Sequence, residues 1–129
     1  MKKVFSVFFI AFGLNVVWEN VHSYLYVHYQ GGTITESILL RATFADAVII
    51  TLIALPFLFL PLFKKRAWLI VPIGVIIAVS MEWYALGTGR WAYSALMPII
   101  PLLETGLTPT IQLGLLGYLS YSITDFALY

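Results

Sequence analysis

Four stretches of this chain carry no charged side chain: residues 4–18, 47–63, 67–81 and 105–124. A helix that spans a bilayer needs about 20 predominantly apolar residues. The first three stretches fall short of that, at 15 to 17 residues. Each reaches spanning length only by running on through a flanking acid: Glu19, Asp46 or Glu82. Length alone therefore puts carboxylates inside the helices and not merely at their ends.

A water-soluble reading fails on composition. Only 10% of the residues are charged, where soluble domains carry about 25%. A net charge of +1 gives no basic field for phosphate neutralisation, so no nucleic acid is expected as a partner. The absence of cysteine excludes disulfides, thiolate metal sites and a Cys nucleophile. The N-terminal MKKVFSVFFIAFGLNVVW has the basic-then-apolar order of a secretory signal. It has no small-x-small cleavage site, and Trp18-Glu19-Asn20 follows directly, so it reads as a retained first helix.

These features predict an all-α, polytopic membrane protein forming one transmembrane domain over residues 1–129. Four transmembrane helices in a bundle are expected at about 4–29, 34–63, 67–86 and 108–125. Thr33 and Glu36 have capping-box spacing and would start the second helix near Ile34. Pro56 and Pro61 bend or end it, and Lys64-Lys65-Arg66 forms a tight turn. The third helix stops at Gly87-Thr88-Gly89. Thr108 and Pro109 read as the N-cap and first residue of the fourth. Lys2, Lys3 and the Lys-Lys-Arg turn share one side, which the positive-inside rule makes cytoplasmic together with both termini. The expected location is the cell membrane, multi-pass, with the 30–36 loop and the 87–107 connection facing outward. Glu19 and Glu82 lie late in the first and third helices, followed by Asp46 and Gln112. Two helical hairpins related by a pseudo-twofold along the membrane normal would give that order.

Stepping at 100° per residue places Asn15, Glu19, His22 and Tyr26 in one narrow stripe. Gly74, Ala78, Glu82 and Ala85 form a small-residue track that lets another helix approach closely. Ala42, Ala45 and Asp46 cluster on the second helix with Arg41 at their edge, and Gln112 lies one turn inside the fourth. The expectation is a single outward-facing polar pocket. Glu19, Asp46 and Glu82 are its candidate acid–base residues, and Asn15, His22, Tyr26, Arg41, Arg90, Trp91, Tyr93 and Gln112 its candidate substrate-binding residues. Arg41, Arg90 and His22 are the cations available to match the acids in a salt-bridged cluster, because an unpaired ionised carboxylate at this depth costs several kcal/mol.

Weaker signals point elsewhere. Glu19-x-x-His22 has the spacing of carboxylate-bridged di-metal bundles, but Ala85 stands where a second histidine would be needed, so neither metal nor cofactor is expected. His28 reads as interfacial. Trp18, Tyr24, Tyr26, Tyr29, Trp83, Tyr84, Trp91 and Tyr93 fit an outer aromatic belt. Ser23 and Ser94 have no evident base, which argues against a serine hydrolase. The stretch SALMPIIPLLETGL is too apolar for a solvated loop and too proline-rich to cross and return, so it reads as a partial lid.

The patterns W-E-N-x-H, G-R-W-A-Y…M-P-x-x-P and G-L-T-P-x-x-Q resemble those of small bacterial four-helix integral membrane proteins, a family that brings no established activity. The resemblance covers nearly the full length and implies a bacterial inner-membrane setting. Glu82, Gly89-Arg90-Trp91-Ala92-Tyr93 and Pro109…Gln112 also follow the order of elements in the membrane-integral lycopene cyclase domain. The paired glutamates of that family are missing, replaced by Thr110, Ile111 and Gln112, so cyclase chemistry is not implied. In length, helix count and a lone glutamate in the first helix the chain is similar to small multidrug resistance transporters. The residues around that glutamate do not match.

Three readings stay open on the sequence. One is a site that binds or acts on a lipophilic small molecule among the membrane lipids. Another is a small transporter or channel, a homo-oligomer with a membrane-embedded glutamate. The third is a structural or accessory subunit whose polar residues only lock the helices together.

Overall fold

The computed structural model describes residues 1–29 and 32–128. It is mostly helical. Helix α1 runs Lys2–His22, α2 Glu36–Phe59, α3 Pro61–Lys64, α4 Ile70–Gly87 and α5 Leu107–Ala127. Three segments are long and apolar enough to cross a membrane: Lys2–Leu25, Glu36–Phe59 and Ala67–Gly87. The fifth helix matches them in length but carries Thr108, Thr110, Gln112, Ser120, Ser122 and Thr124. Four of these, Thr110, Gln112, Ser120 and Thr124, are buried against the rest of the molecule.

α1 packs along α2, α4 along α5, and α5 also against α1 and α2. Between them lies a core of Val7, Ala11, Ala47, Ile50, Phe57, Ile70 and Leu116. The small-residue track on α4 does what its composition allows. A Cβ on Gly74 would overlap the Gly114 backbone, and one on Gly114 would overlap the Val71 carbonyl, so α4 and α5 touch backbone to backbone. At the end carrying both termini, Lys3 Nζ lies 3.7 Å from Asp125 and Ser6 hydrogen-bonds Thr124 at 2.8 Å.

Several boundaries differ from the sequence expectation: α2 ends at Phe59 and not at 63, α4 begins at Ile70 and not at 67, and three further ends shape the site. The first helix stops at His22 and passes through a 3-10 turn, Ser23–Leu25, into a strand, β1, over Tyr26–Tyr29. Tyr, Val and His favour a pleated backbone once a partner strand exists, and β2, Trp91–Tyr93, supplies it in antiparallel register. The second helix is capped by Thr35, whose hydroxyl accepts from the Ile38 N–H, and not by Thr33. Glu36 is then in the first turn, where its charge suits the helix dipole. The fifth helix begins at Leu107 and is capped by Gly106 without a side-chain bond, which puts Thr108 inside the first turn with its hydroxyl engaged by His22. Pro109 remains in the first turn, where its missing N–H costs nothing.

The prolines and glycines act as expected. Pro56 sits inside α2, the helix ends at Phe59, and Pro61 opens the short α3 that leads into the Lys-Lys-Arg turn. Gly89, at φ +73°, turns the chain out of α4. The 30–36 loop falls partly outside the described residues. The lid stretch is a small antiparallel hairpin, β3 Ile99–Ile100 with β4 Thr105–Gly106. The Trp83 indole N–H donates to the Leu103 carbonyl at 2.8 Å and ties this hairpin to α4. Its tip is turned by Leu102 and Glu104, both at positive φ, and Leu102 projects fully into the surroundings.

Candidate functional site

Opposite the end with the termini, a cavity of about 270 Å³ opens between the helices. α1 contributes Glu19 and His22, α2 Arg41, Ala42, Ala45 and Asp46, α4 Ala78, Met81 and Glu82, and α5 Pro109 and Gln112. Tyr26, Tyr29 and Trp91 of the strand pair form its roof. Those rings belong to a second apolar cluster with Leu39 and Met97. Their centroids lie 4.9 to 6.3 Å apart, in edge-to-face contact.

One half of the site is organised by Gln112. Its Nε2 lies 2.8 Å from Asn15 Oδ1, 2.8 Å from Glu19 Oε1 and 2.9 Å from Asp46 Oδ2. The neighbouring bonds decide which way these amides face. Asn15 Nδ2 donates to the Ala11 carbonyl at 2.7 Å, so Asn15 must present its oxygen to Gln112. Gln112 therefore presents its NH₂ group, and a primary amide has two hydrogens. One serves Asn15. The other is left to Glu19 and Asp46 together, which brings the two carboxyl groups to the same N–H.

His22 anchors the same acid from the other side. Its Nε2 is 3.2 Å from Glu19 Oε2, and its Nδ1 is 3.0 Å from Thr108 Oγ1. The ring thus links the carboxylate to the Thr108 hydroxyl, which also lies 3.6 Å from Met97 Sδ.

Glu82 forms the second half. Tyr93 O–H donates to Glu82 Oε1 at 2.6 Å and Tyr26 O–H donates to the same oxygen at 3.1 Å. The direction of the first bond is fixed by Gly106, whose backbone N–H donates to the Tyr93 oxygen at 2.9 Å. Glu82 Oε1 is thus saturated as an acceptor. Glu82 Oε2 accepts no hydrogen bond among the described residues, and the buried indole N–H of Trp91 is turned toward this carboxylate without closing one. Burial, and then the neighbouring Glu82 charge, push the Tyr26 hydroxyl pKa well above its usual value. Tyr93 is raised by burial and by its bond to Glu82, and Tyr29 by burial and the Glu19 charge. All three stay protonated donors through the physiological range.

Of the residues singled out from sequence, Asn15, Glu19, His22, Asp46, Glu82 and Gln112 converge, and all are buried. Tyr26, Trp91 and Tyr93 reach the same place from the strands. Arg41 is exposed at the cavity rim. Arg90 is exposed outside it, because the turn at Gly89 sends Trp91 inward and leaves Arg90 at the surface. Neither arginine forms an ion pair among the described residues; the one ionic contact to these acids is His22 with Glu19. The expected arginine-matched cluster is therefore replaced by amide, imidazole and phenol donors.

The expected aromatic belt divides. Tyr24, Trp83 and Tyr84 point outward, whereas Tyr26 and Tyr29 are buried. Tyr29 and Thr108 were not legible as site residues. A bulge between Tyr26 and His28 shifts the strand register, so Tyr26 and Tyr29 face the same side despite an odd spacing. Among the described residues no group of three or more His, Asp or Glu side chains is arranged to hold a metal ion.

Fold and site together define a helical protein with membrane-grade segments and a buried cluster of acids held by amide, imidazole and phenol groups. The chain matches no family model, no curated protein and no solved structure.

Proposed function

We propose that this chain is a multi-pass protein of a bacterial cell membrane whose pocket binds a lipophilic molecule and offers it an acid–base group. In this reading α1, α2, α4 and α5 all cross, as a four-helix bundle. The polar residues of α5 lower its hydropathy but are largely buried against its neighbours, so they need not face lipid. Both termini and Lys64-Lys65-Arg66 lie on the cytoplasmic side, and the strand pair and the pocket on the outer side. The pseudo-twofold gains support from the strands. Each of α1 and α4 is followed by a strand, and the two strands pair antiparallel, as a twofold between hairpins requires.

The observation that carries the proposal is the state of Glu82 in its cavity. One oxygen is held by two tyrosines, the other closes no hydrogen bond among the described residues, and Glu82 lines the cavity. A carboxyl so positioned can deliver or accept a proton at Oε2 without losing its orientation. The linked Thr108–His22–Glu19–Gln112–Asp46 chain lies on the opposite wall as a second proton-holding group. Ala45 both lines the cavity and is exposed, so the pocket opens sideways beside two membrane-grade helices, α2 and α4. A lipophilic molecule can enter there without crossing water.

Native mass spectrometry of protein extracted in mild detergent tests this. A lipophilic molecule retained at stoichiometric level, and lost in the pocket-filling Ala42→Trp, is expected. Equal retention in Ala42→Trp contradicts the site. The orientation is tested separately in this cysteine-free chain. Thr88→Cys should react with a membrane-impermeant maleimide on intact cells, and Lys65→Cys only after lysis.

A further inference from the structure

The charges in and around the pocket are separated in a definite way. Inside are three buried carboxyl groups, Glu19, Asp46 and Glu82, and no lysine or arginine is paired with any of them among the described residues. At the rim is Arg41, exposed and free of carboxylate partners. The roof is aromatic, from Tyr26, Tyr29 and Trp91. Glu82 and Asp46 both line the cavity; the first accepts its tyrosine bonds through Oε1 and the second its Gln112 bond through Oδ2, and beyond the approach of the Trp91 indole to Glu82 and the Glu19–Asp46 contact, Oε2 and Oδ1 have no donor among the described residues. A ligand matched to this arrangement carries a cation with N–H donors at its deep end, an anion nearer the opening, and apolar chains beyond.

Resting on the pocket reading above, we infer that the site takes the head group of an aminophospholipid. The primary ammonium lies between Glu82 and Asp46 beneath the aromatic roof, and the phosphate lies at Arg41. A primary ammonium has three N–H donors, enough for both vacant carboxylate oxygens, and its charge is favoured near the faces of Trp and Tyr rings. A quaternary ammonium would gain the ring contacts but leave both oxygens unbonded. Arg41 precedes Asp46 on α2, on the side of the helix start at Glu36. Ammonium and phosphate therefore fall in order from depth to rim. The sideways opening at Ala45 leaves room for glycerol and acyl chains to remain in the bilayer. An anionic lipid would put its phosphate at Arg41 but bring nothing to neutralise the acids.

The test is a native mass spectrometric titration of the full chain in detergent with four probes: dioleoyl phosphatidylethanolamine, its N-acetyl derivative, dioleoyl phosphatidylglycerol and water-soluble glycerophosphoethanolamine. The expected result is phosphatidylethanolamine bound about tenfold or more tightly than the N-acetyl and glycerol lipids, as the loss of a charge-assisted contact requires. Glu82→Gln should erase that preference, and Arg41→Ala, at an exposed position that the fold does not need, should weaken phosphatidylethanolamine several-fold. Equal binding of phosphatidylethanolamine and its N-acetyl derivative overturns the head-group inference while leaving a lipophilic pocket in place. Binding of none of the lipids overturns both. Glycerophosphoethanolamine binding as tightly as the lipid would assign the same ammonium–phosphate chemistry to a soluble compound and overturn the lipid assignment.

Discussion

Tyr93 donates its hydroxyl hydrogen to Glu82 at 2.6 Å while accepting the Gly106 N–H at 2.9 Å. One phenol thus couples α4, which carries the acid, to the hairpin that precedes α5. Removing it leaves Gly106 N–H without an acceptor and Glu82 with one donor fewer. Tyr93→Phe should cost about 1–3 kcal/mol, the range for leaving a buried polar group without its partner. Thermal unfolding in detergent reads the stability, and hydrogen exchange should quicken selectively at residues 99–106.

Gln112 is the one donor shared by Asn15, Glu19 and Asp46. Replacing it with leucine keeps the volume and removes the hydrogen shared by two buried acids together with the one given to Asn15. A loss of about 3 kcal/mol or more is expected, as for a buried charge deprived of its partner. A Tm equal to that of the unsubstituted protein would show that the acids do not depend on this amide.

The α4–α5 contact has no room for a side chain at Gly74 or Gly114. Gly74→Leu should force the helices apart and abolish the folded state, whereas Gly87→Ala, where an added Cβ meets nothing, should be close to neutral. Cysteine pairs engineered across the α4–α5 seam report the separation by their cross-linking yield.

Tyr26, Tyr29 and Tyr93 have hydroxyl pKa values raised by burial and by neighbouring carboxylates. A pKa raised in the fold contributes stability that is full below the unfolded value, about 10 for tyrosine, and is lost as pH rises above it. Tyrosinate absorbance should therefore show these three tyrosines ionising only together with unfolding.

Much of this arrangement is legible in the sequence because it follows from helical periodicity. The stripe Asn15, Glu19, His22 and the track Gly74, Ala78, Glu82 each lie on one face of a helix, and each is buried as a unit. What periodicity could not supply is the roof. Tyr26 through Tyr29 continue the helical stripe by spacing, yet they extend, because a strand 65 residues further on, at Trp91, offers backbone hydrogen bonds that no local signal encodes. The arginines misled for a related reason. Counting charges predicts ion pairs, but the acids are met by amide, imidazole and phenol donors whose convergence depends on the packing of four helices. Thr108 read as a cap because Thr-Pro opens helices; its hydroxyl instead serves His22.

The most direct test of the pocket places a benzophenone side chain at Ala45 and irradiates the protein in native membranes. Ala45 lies at the cavity and at the surface together. If the pocket holds a lipophilic molecule, one defined adduct should dominate, and Glu82→Gln should reduce it severalfold. The same label at Ile76, exposed elsewhere, should capture a mixture that reflects bulk lipid. An Ala45 adduct spectrum identical to that at Ile76, and unchanged by Glu82→Gln, would contradict a binding pocket at this place.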